Sequence, residues 1–225
     1  MIFSWSAGKD SALALSTVLQ DPGLEVRALV TTLTDTYDRV SISGVREELL
    51  DDQVARLGLP LVKVWIPPDC PNGRYEERMA RALQRDPLRG IRHVAFGDIY
   101  LAQVRRHREE RLAALSKVAL FPLWGRDTFD LANEVLSAGF RATVVCVDRR
   151  VMPTSFAGRS FDARFLADLP TGVDPCGENG EFHTFVWDAP MYSSPVDCRT
   201  GQVVTRGKFD YCDMLPGRGG PIPPN

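Results

Sequence analysis

No run of about 18 consecutive apolar residues occurs in the chain, which excludes a membrane-spanning helix. Met1 leads almost directly into an apolar strand pattern, so a cleavable signal peptide is not expected and a cytoplasmic location is. The five cysteines, Cys70, Cys146, Cys176, Cys198 and Cys212, contain no CxxC pair, and their odd count and irregular spacing argue against a disulfide framework or a structural zinc site. Charge of one sign is lacking too, with 27 Lys and Arg against 29 Asp and Glu and a net charge of -2. That balance gives no reason to expect a nucleic-acid partner. The densest arginine text, "QVRRHREERL", interleaves acids and reads as a solvated helix face. No internal repeat is visible.

What remains is a chain of 225 residues, 44% hydrophobic, long enough for one large domain or two small ones. Its first half alternates apolar runs with helical patterns, the signature of βαβ units and a parallel sheet. "MIFSW", "EVRALVTTL", "LPLVKVWIP" and "IRHVAFGDI" read as strands. "DSALALSTVLQ", "GVREELLDDQVARLG", "YEERMARALQRDPLRG" and "LAQVRRHREERLAALS" read as the helices between and after them. Further on, "ALFPLWG" is a short strand, "DTFDLANEVLSAGF" a helix capped by Asp127 or Thr128, and "RATVVCVD" a strand. Strand-like pieces "EFHTFVW" and "GQVVTRGKFDY" follow, and the tail "LPGRGGPIPPN" lacks an apolar period. This organisation predicts a domain over residues 1–120, a smaller α/β portion over 121–212 and a mobile tail over 213–225. An exposed strand edge in the C-terminal portion would suit a homodimer.

In open parallel sheets, ligands bind beyond the carboxyl ends of the strands, at the point where strand order reverses. Three stretches fall at that edge: "SAGKDS" after the first strand, the region of Thr31 after the second, and "GDIY", with Gly97 and Asp98, after the fourth. The first is not a Walker A loop, because Asp10 stands where a hydroxyl should follow the lysine. A strand running through this loop into a helix still makes an anion cradle. Backbone N–H groups at the helix N-terminus, the Ser6 and Ser11 hydroxyls and the Lys9 ammonium supply it, and Gly8 lets the backbone come close. Two roles fit Asp10: an N-cap, or a carboxylate holding Mg²⁺ on a bound polyphosphate.

"SAGKDS" resembles the SGGxDS loop of the PP-loop ATP pyrophosphatases. Membership implies a Rossmann-like (HUP-type) α/β fold, a mostly parallel sheet with a smaller C-terminal α/β portion. It also implies cleavage of ATP between its α and β phosphates. Ala7 replaces the usual first Gly, a change that fits if its φ is negative. "GVREELLDDQVARLGLPLVKV", "VAFGDI" with "RRHREERL", and "FPLWG" with "DPCGENGEFHTFVWDAP" are similar to one branch, the diphthine-ammonia ligase family and its bacterial relatives. Ser43 stands where those relatives often carry His. The resemblance implies ATP and Mg²⁺ as cofactors, with Ser6, Ala7, Gly8, Lys9, Asp10, Ser11, Thr31, Gly97 and Asp98 at the nucleotide. It further implies a carboxylate acceptor, in that family carried on a protein, and ammonia or an amine as second substrate.

The last motif carries its own chemistry. Asn179 and Gly180 predict a two-residue hairpin turn that sets Glu178 and Glu181 opposite each other, unfavourable without a proton or cation between them. Alternation places Glu181, His183, Phe185 and Trp187 on one face. With Asp174 upstream, these residues make an acidic pocket for ammonium, a cationic substrate group or Mg²⁺, and Trp124 is a candidate wall. Both a general base and a structural hydrogen-bonding group fit His183. Cys176 reads as a small buried residue in preference to a nucleophile, since no adjacent cation lowers its pKa. Asp98 suits a ligand to metal, ribose or amine, or a helix cap. Arg105, Arg108 and Glu109 are spaced for a surface salt bridge. An AMP-forming amide ligase accounts for all of these. A nucleotide-binding regulatory module and a PP-loop sulfurtransferase acting on RNA are the alternatives.

Overall fold

The computed structural model describes residues 1–217. In chain order its elements are β1 (Ile2–Ser4), α1 (Lys9–Leu19), β2 (Ala28–Thr34), β3 (Arg39–Val40), α2 (Glu47–Leu57), β4 (Leu61–Ile66), α3 (Asn72–Leu83), β5 (His93–Ala95) and α4 (Ala102–Ala113). There follow β6 (Val118–Leu120), α5 (Thr128–Ser137), β7 (Arg141–Asp148), α6 (Ala163–Ala167), β8 (Phe182–Asp188), β9 (Cys198–Arg206) and β10 (Phe209–Pro216). They fall into two compact units.

The first unit comprises Met1–Ser6, Asp10–Ser41 and Leu59–Arg126. Its sheet is the expected mostly parallel one. β2 pairs with β4 along its length from Leu29 to Thr34, so β1 and the short antiparallel β3 share the other edge of β2, at Ala28–Val30 and at Leu33 and Thr34 respectively. β5 adds to the far side of β1, and β6 to β5. The parallel strands therefore run β4-β2-β1-β5-β6, and the chain reverses its direction of travel across the sheet between β1 and β5. Short strands buried on both faces read as continuous apolar text, and here they do: Ile2, Ala28, Val30, Val64 and Val94 form a core with Leu83, Leu88, Phe96 and Leu112.

The second unit comprises Ala7–Lys9, Ile42–Gly58 and the chain from Asp127 onward. Its four strands are all antiparallel, in the order β8-β7-β10-β9. "GQVVTRGKFDY" is thus not one strand but a hairpin, turning at Gly207 and Lys208 between β9 and β10. Asp127 is the cap of α5, its Oδ1 accepting from the N–H groups of Phe129 (2.9 Å) and Asp130 (3.0 Å), as the sequence predicted. α2 looks like the crossover helix of a βαβ unit, yet it packs on β10. Arg46, just before it, forms a two-pronged ion pair with Asp213 on β10, with Nη2 2.7 Å from Oδ2 and Nε 3.0 Å from Oδ1. Since β10 continues through Pro216, Asp213 is structured and not part of a loose tail. Residues 218–225, the rest of the stretch expected to be mobile, lie outside the described residues. No helix among the described residues is long and apolar enough to cross a membrane.

Candidate functional site

The "SAGKDS" loop joins β1 to α1, directly beyond the point where strand order reverses. Within the first unit its ends are tightly braced. The Ser6 N–H donates to Ser11 Oγ at 3.2 Å, and the Ser11 hydroxyl lies 3.4 Å from the Ser4 carbonyl. Thr31, 3% exposed, donates its hydroxyl to the Trp5 carbonyl at 2.8 Å. Two of the hydroxyls expected at the nucleotide, those of Ser11 and Thr31, therefore shape the turn. Asp10 lies inside the first turn of α1 and is not its N-cap, a position where a carboxylate complements the helix dipole. Gly97 comes close to this turn: a Cβ there would stand 3.0 Å from the Ser11 nitrogen and 3.1 Å from the Asp10 carbonyl carbon. The absence of a side chain lets the chain after β5 run against the backbone of that turn without displacing it.

Asp98 is held by Arg108, with Oδ2 2.8 Å from Nε and Oδ1 accepting from Nη2 at 3.1 Å, while the guanidinium rests 4.3 Å from the centre of the Phe96 ring. It does not cap α4, whose N-cap position is Leu101. Arg105 pairs with Glu109 at 2.8 Å, the helical salt bridge the spacing predicted, and covers the Trp124 ring at 4.7 Å. Trp124 also meets Phe121 edge-on.

Within the second unit, Ala7 has φ +66, so the condition under which Ala would fit without strain, a negative φ, is not met. Its left-handed backbone turns the Ala7 carbonyl to the edge of β8, where it accepts from the Val186 N–H (3.0 Å) and from Gln53 Nε2 (3.2 Å). Gln53, fully buried on α2, also donates to the Val186 carbonyl at 2.7 Å. The Lys9 N–H donates to Thr184 Oγ1 at 3.0 Å. An Ala at positive φ costs about 1–2 kcal/mol, and the extra chain entropy of Gly offsets about half of this, so Ala7→Gly should raise stability by roughly 0.5–1 kcal/mol. A thermal melt checks this; a lowered midpoint would mean that the buried methyl group outweighs the strain.

Lys9 is 1% exposed. Its ammonium donates to the Cys176 carbonyl and sits 5.1 Å from the centre of the Phe182 ring and 5.3 Å from that of Phe161. The cradle reading placed this charge at the phosphates; the structure directs it at the turn that precedes β8. Cys176 is 1% exposed, with its thiol 3.3 Å from the Thr128 carbonyl, a small buried residue as expected.

The hairpin expected at Asn179 and Gly180 does not form, because the antiparallel partner of β8 is β7, far upstream, and the chain before Glu181 is a series of turns. Asp174 organises them: its Oδ1 accepts from the N–H groups of Cys176 (2.9 Å) and Glu178 (3.1 Å). Glu181, 7% exposed, accepts at Oε1 from the Asp174 N–H (3.2 Å) and from Asn179 Nδ2 (2.9 Å), while its buried Oε2 has no hydrogen-bond partner. The pairing of β8 with β7 passes from Val186 to Asp188 and skips Trp187, a bulge that interrupts the regular alternation at that residue. Among the described residues no group of three or more His, Cys, Asp or Glu is placed to hold a metal ion.

His183 is half-buried, and removal of its ring from water, reinforced by the Lys9 charge, lowers its pKa to about 4. The imidazole is thus neutral at pH 7. Folding that depresses a histidine pKa stabilises the protein fully above the unfolded value of 6.5 and loses that stability as pH falls toward 4. Stability should therefore decline from about pH 6.5 downward, by at most about 1.4 kcal/mol per pH unit from this residue, and His183→Gln should flatten the decline. Denaturant melts across that window provide the check.

Sequence reasoning missed Gln53 and Thr184. Gln53 carried no signal, being one polar residue of an amphipathic helix, and Thr184 carried only its place in a strand.

The N-terminal domain model of diphthamide synthase matches residues 1–117, and the C-terminal domain model of the same family matches residues 127–215. A diphthine–ammonia ligase from Bos taurus is 31% identical over 121 residues, which is 51% of this chain and 45% of that protein. The Danio rerio enzyme of the same name is 33% identical over 109 residues, 46% of this chain and 42% of its own length. A third, from Schizosaccharomyces pombe, is 25% identical over 123 residues and is matched over only 20% of its length. The matched stretch thus spans less than half the length of each of these relatives. With both domain models matched in order and the loop in the place this sheet gives a ligand, the chain belongs to the diphthamide synthase family of PP-loop proteins.

Proposed function

We propose that the chain is an ATP-dependent, AMP-forming ligase that adenylates a substrate carboxylate and then forms an amide with ammonia or an amine. The observation that carries this reading is the "SAGKDS" loop at the strand-order reversal, with Gly97 clearing the approach to its first helical turn. The loop N–H groups and the N-terminus of α1 would take the polyphosphate of ATP. A carboxylate oxygen of the acceptor attacks the α-phosphorus and pyrophosphate leaves; the nitrogen nucleophile then attacks the acyl carbon and AMP leaves. Adenylation replaces a poor leaving oxygen by a good one, so the protein has mainly to position the reactants and stabilise charge.

Mg²⁺ suits this donor set. It keeps several waters and binds through one or two carboxylates plus phosphate oxygens, and Asp10, in the first turn of α1, is the residue that would hold it. When bound, it supplies charge neutralisation on the departing pyrophosphate. Asp174, Glu178 and Glu181, all in the second unit, would serve the acceptor and the nitrogen nucleophile. Neutral His183 suits a hydrogen-bonding role more than that of a strong base. The relatives are named for diphthine; for this chain the acceptor is a carboxylate, on a protein or a small molecule.

The test is incubation with α-labelled ATP and Mg²⁺, with and without ammonium and candidate carboxylates, followed by resolution of the nucleotides. AMP with pyrophosphate is expected, while ADP with phosphate would refute the loop assignment. Nucleotide binding that never yields product across the carboxylate panel would favour a regulatory module. Glu181→Gln should keep ATP affinity and lose acceptor-dependent AMP release by tenfold or more, about the worth of one buried charge-assisted hydrogen bond. Full release in that variant would remove Glu181 from the acceptor side.

A further inference from the structure

Ala7 keeps a left-handed backbone without being glycine, a conformation that relaxes to negative φ unless its surroundings hold it. In the second unit the holding contacts are few and can be named. β8 is an edge strand of its sheet, and Ala7 docks on its open side. The Val186 N–H donates to the Ala7 carbonyl at 3.0 Å, and Gln53 Nε2 donates to the same carbonyl at 3.2 Å and to the Val186 carbonyl at 2.7 Å. One amide nitrogen thus uses both of its donors to close a ring between loop and strand. Gln53 is fully buried, so the ring is kept from water, where such bonds are stronger.

Peptide planarity carries this anchoring into the loop. In a trans peptide the carbonyl of one residue and the N–H of the next point in opposite directions, so a carbonyl of Ala7 held on β8 aims the Gly8 N–H away from that strand. The following N–H, that of Lys9, is itself on Thr184 Oγ1 at 3.0 Å. Gly8 is therefore bracketed by two anchors on one strand, and its N–H has a fixed direction. A left-handed residue in a turn is the device that brings backbone N–H groups to an anion.

We propose that Gln53 is a positioning residue for the polyphosphate, acting through the Ala7–Gly8 peptide while touching no ligand itself. The inference rests on the ligase reading only for the presence of polyphosphate at the loop. Without the Gln53 amide the Ala7 carbonyl keeps one donor in place of two. Ala7 then relaxes toward negative φ, and the peptide turns the Gly8 N–H out of line.

The test is calorimetric titration of the intact protein with pyrophosphate, ATP and adenosine in the presence of Mg²⁺, well below the melting midpoint. Gln53→Met keeps the volume and removes the donors. It should weaken pyrophosphate and ATP by about fivefold or more, the contribution of one hydrogen bond, and leave adenosine unchanged. Ala7→Gly in the same background makes the left-handed backbone easy again and should recover most of the loss, which a purely structural role for Gln53 would not allow. Gln53→Asn, one methylene too short to reach both carbonyls, should show the same selective loss and serves if the Met variant fails to fold. Leu131→Ala, a fully buried change elsewhere in the second unit, should lower the melting midpoint at least as much and leave pyrophosphate affinity unchanged. Unaltered pyrophosphate affinity in the Gln53 variants, equal losses for pyrophosphate and adenosine, or no recovery with Ala7→Gly would overturn the proposal and leave the loop assignment standing. A wild-type protein that binds neither ATP nor pyrophosphate would overturn both.

Discussion

Lys9→Met should lower the thermal midpoint substantially and raise the pKa of His183, while leaving nucleotide affinity reduced only modestly. The Lys9 ammonium is buried, bonded to the Cys176 carbonyl and placed over two aromatic rings. A hydrogen bond to a charged group contributes about 1.5–3 kcal/mol and a cation–π contact about 0.5–2, offset by the relief of no longer burying a charge. A net loss near 2 kcal/mol is the expected result, about 4–8 °C in a chain of this size. Met fills the volume, so the loss reports the charge and not a cavity. His183 provides an independent readout. With only three histidines in the chain its ring signals are readily followed, and removal of the Lys9 charge should move its pKa up from about 4 while burial keeps it below 6.5. An unchanged midpoint and histidine titration together with abolished ATP binding would place the ammonium at the phosphates instead.

Gly177→Ala should be the most damaging single methyl in the second unit. Gly177 has φ +68, and a Cβ there would stand 2.8 Å from the Phe182 carbonyl oxygen and 2.9 Å from two atoms of the Phe182 ring. The left-handed backbone costs about 1–2 kcal/mol for Ala, and the clash with a backbone carbonyl at the start of β8 adds strain of similar size. A loss of roughly 2–4 kcal/mol follows, with the 174–178 turn displaced. Gly180→Ala separates the two causes. Gly180 also has positive φ (+84), but nothing lies within 4 Å of its would-be Cβ, so only the conformational cost remains. Equal melting losses in the two variants would show that the Phe182 contact relaxes without strain.

Much of this was legible in the sequence where local pattern and tertiary packing agree. The parallel strands are apolar throughout and punctuated by Gly and Pro, and Asp127 caps α5 by a bond only two or three residues long. The loop could be located because strand, glycine and helix follow one another. What local pattern could not show depended on distant partners. Asn179-Gly180 has hairpin chemistry, yet β8 takes β7 as its partner, so the turn closes on Asp174 instead of on a facing strand. The burial of Gln53 depends on the open edge of β8, 133 residues away. Lys9 reads as a phosphate ligand by its neighbours in sequence and as a buried brace by its neighbours in space.

The membership of the second unit bears on how the protein can be cut and recombined. Its sheet draws on residues 42–58 and on the three loop residues 7–9, so the sequence from Asp127 onward is not a self-sufficient module. Taken alone, it would leave the Val186 carbonyl and N–H at the edge of β8 and the Asp213 carboxylate on β10 without the partners that Gln53, Ala7 and Arg46 provide. Chimeras between family members should therefore exchange α2 and the loop together with the C-terminal segment. A crossover placed at the apparent boundary near residue 120 would join a sheet to the wrong helix.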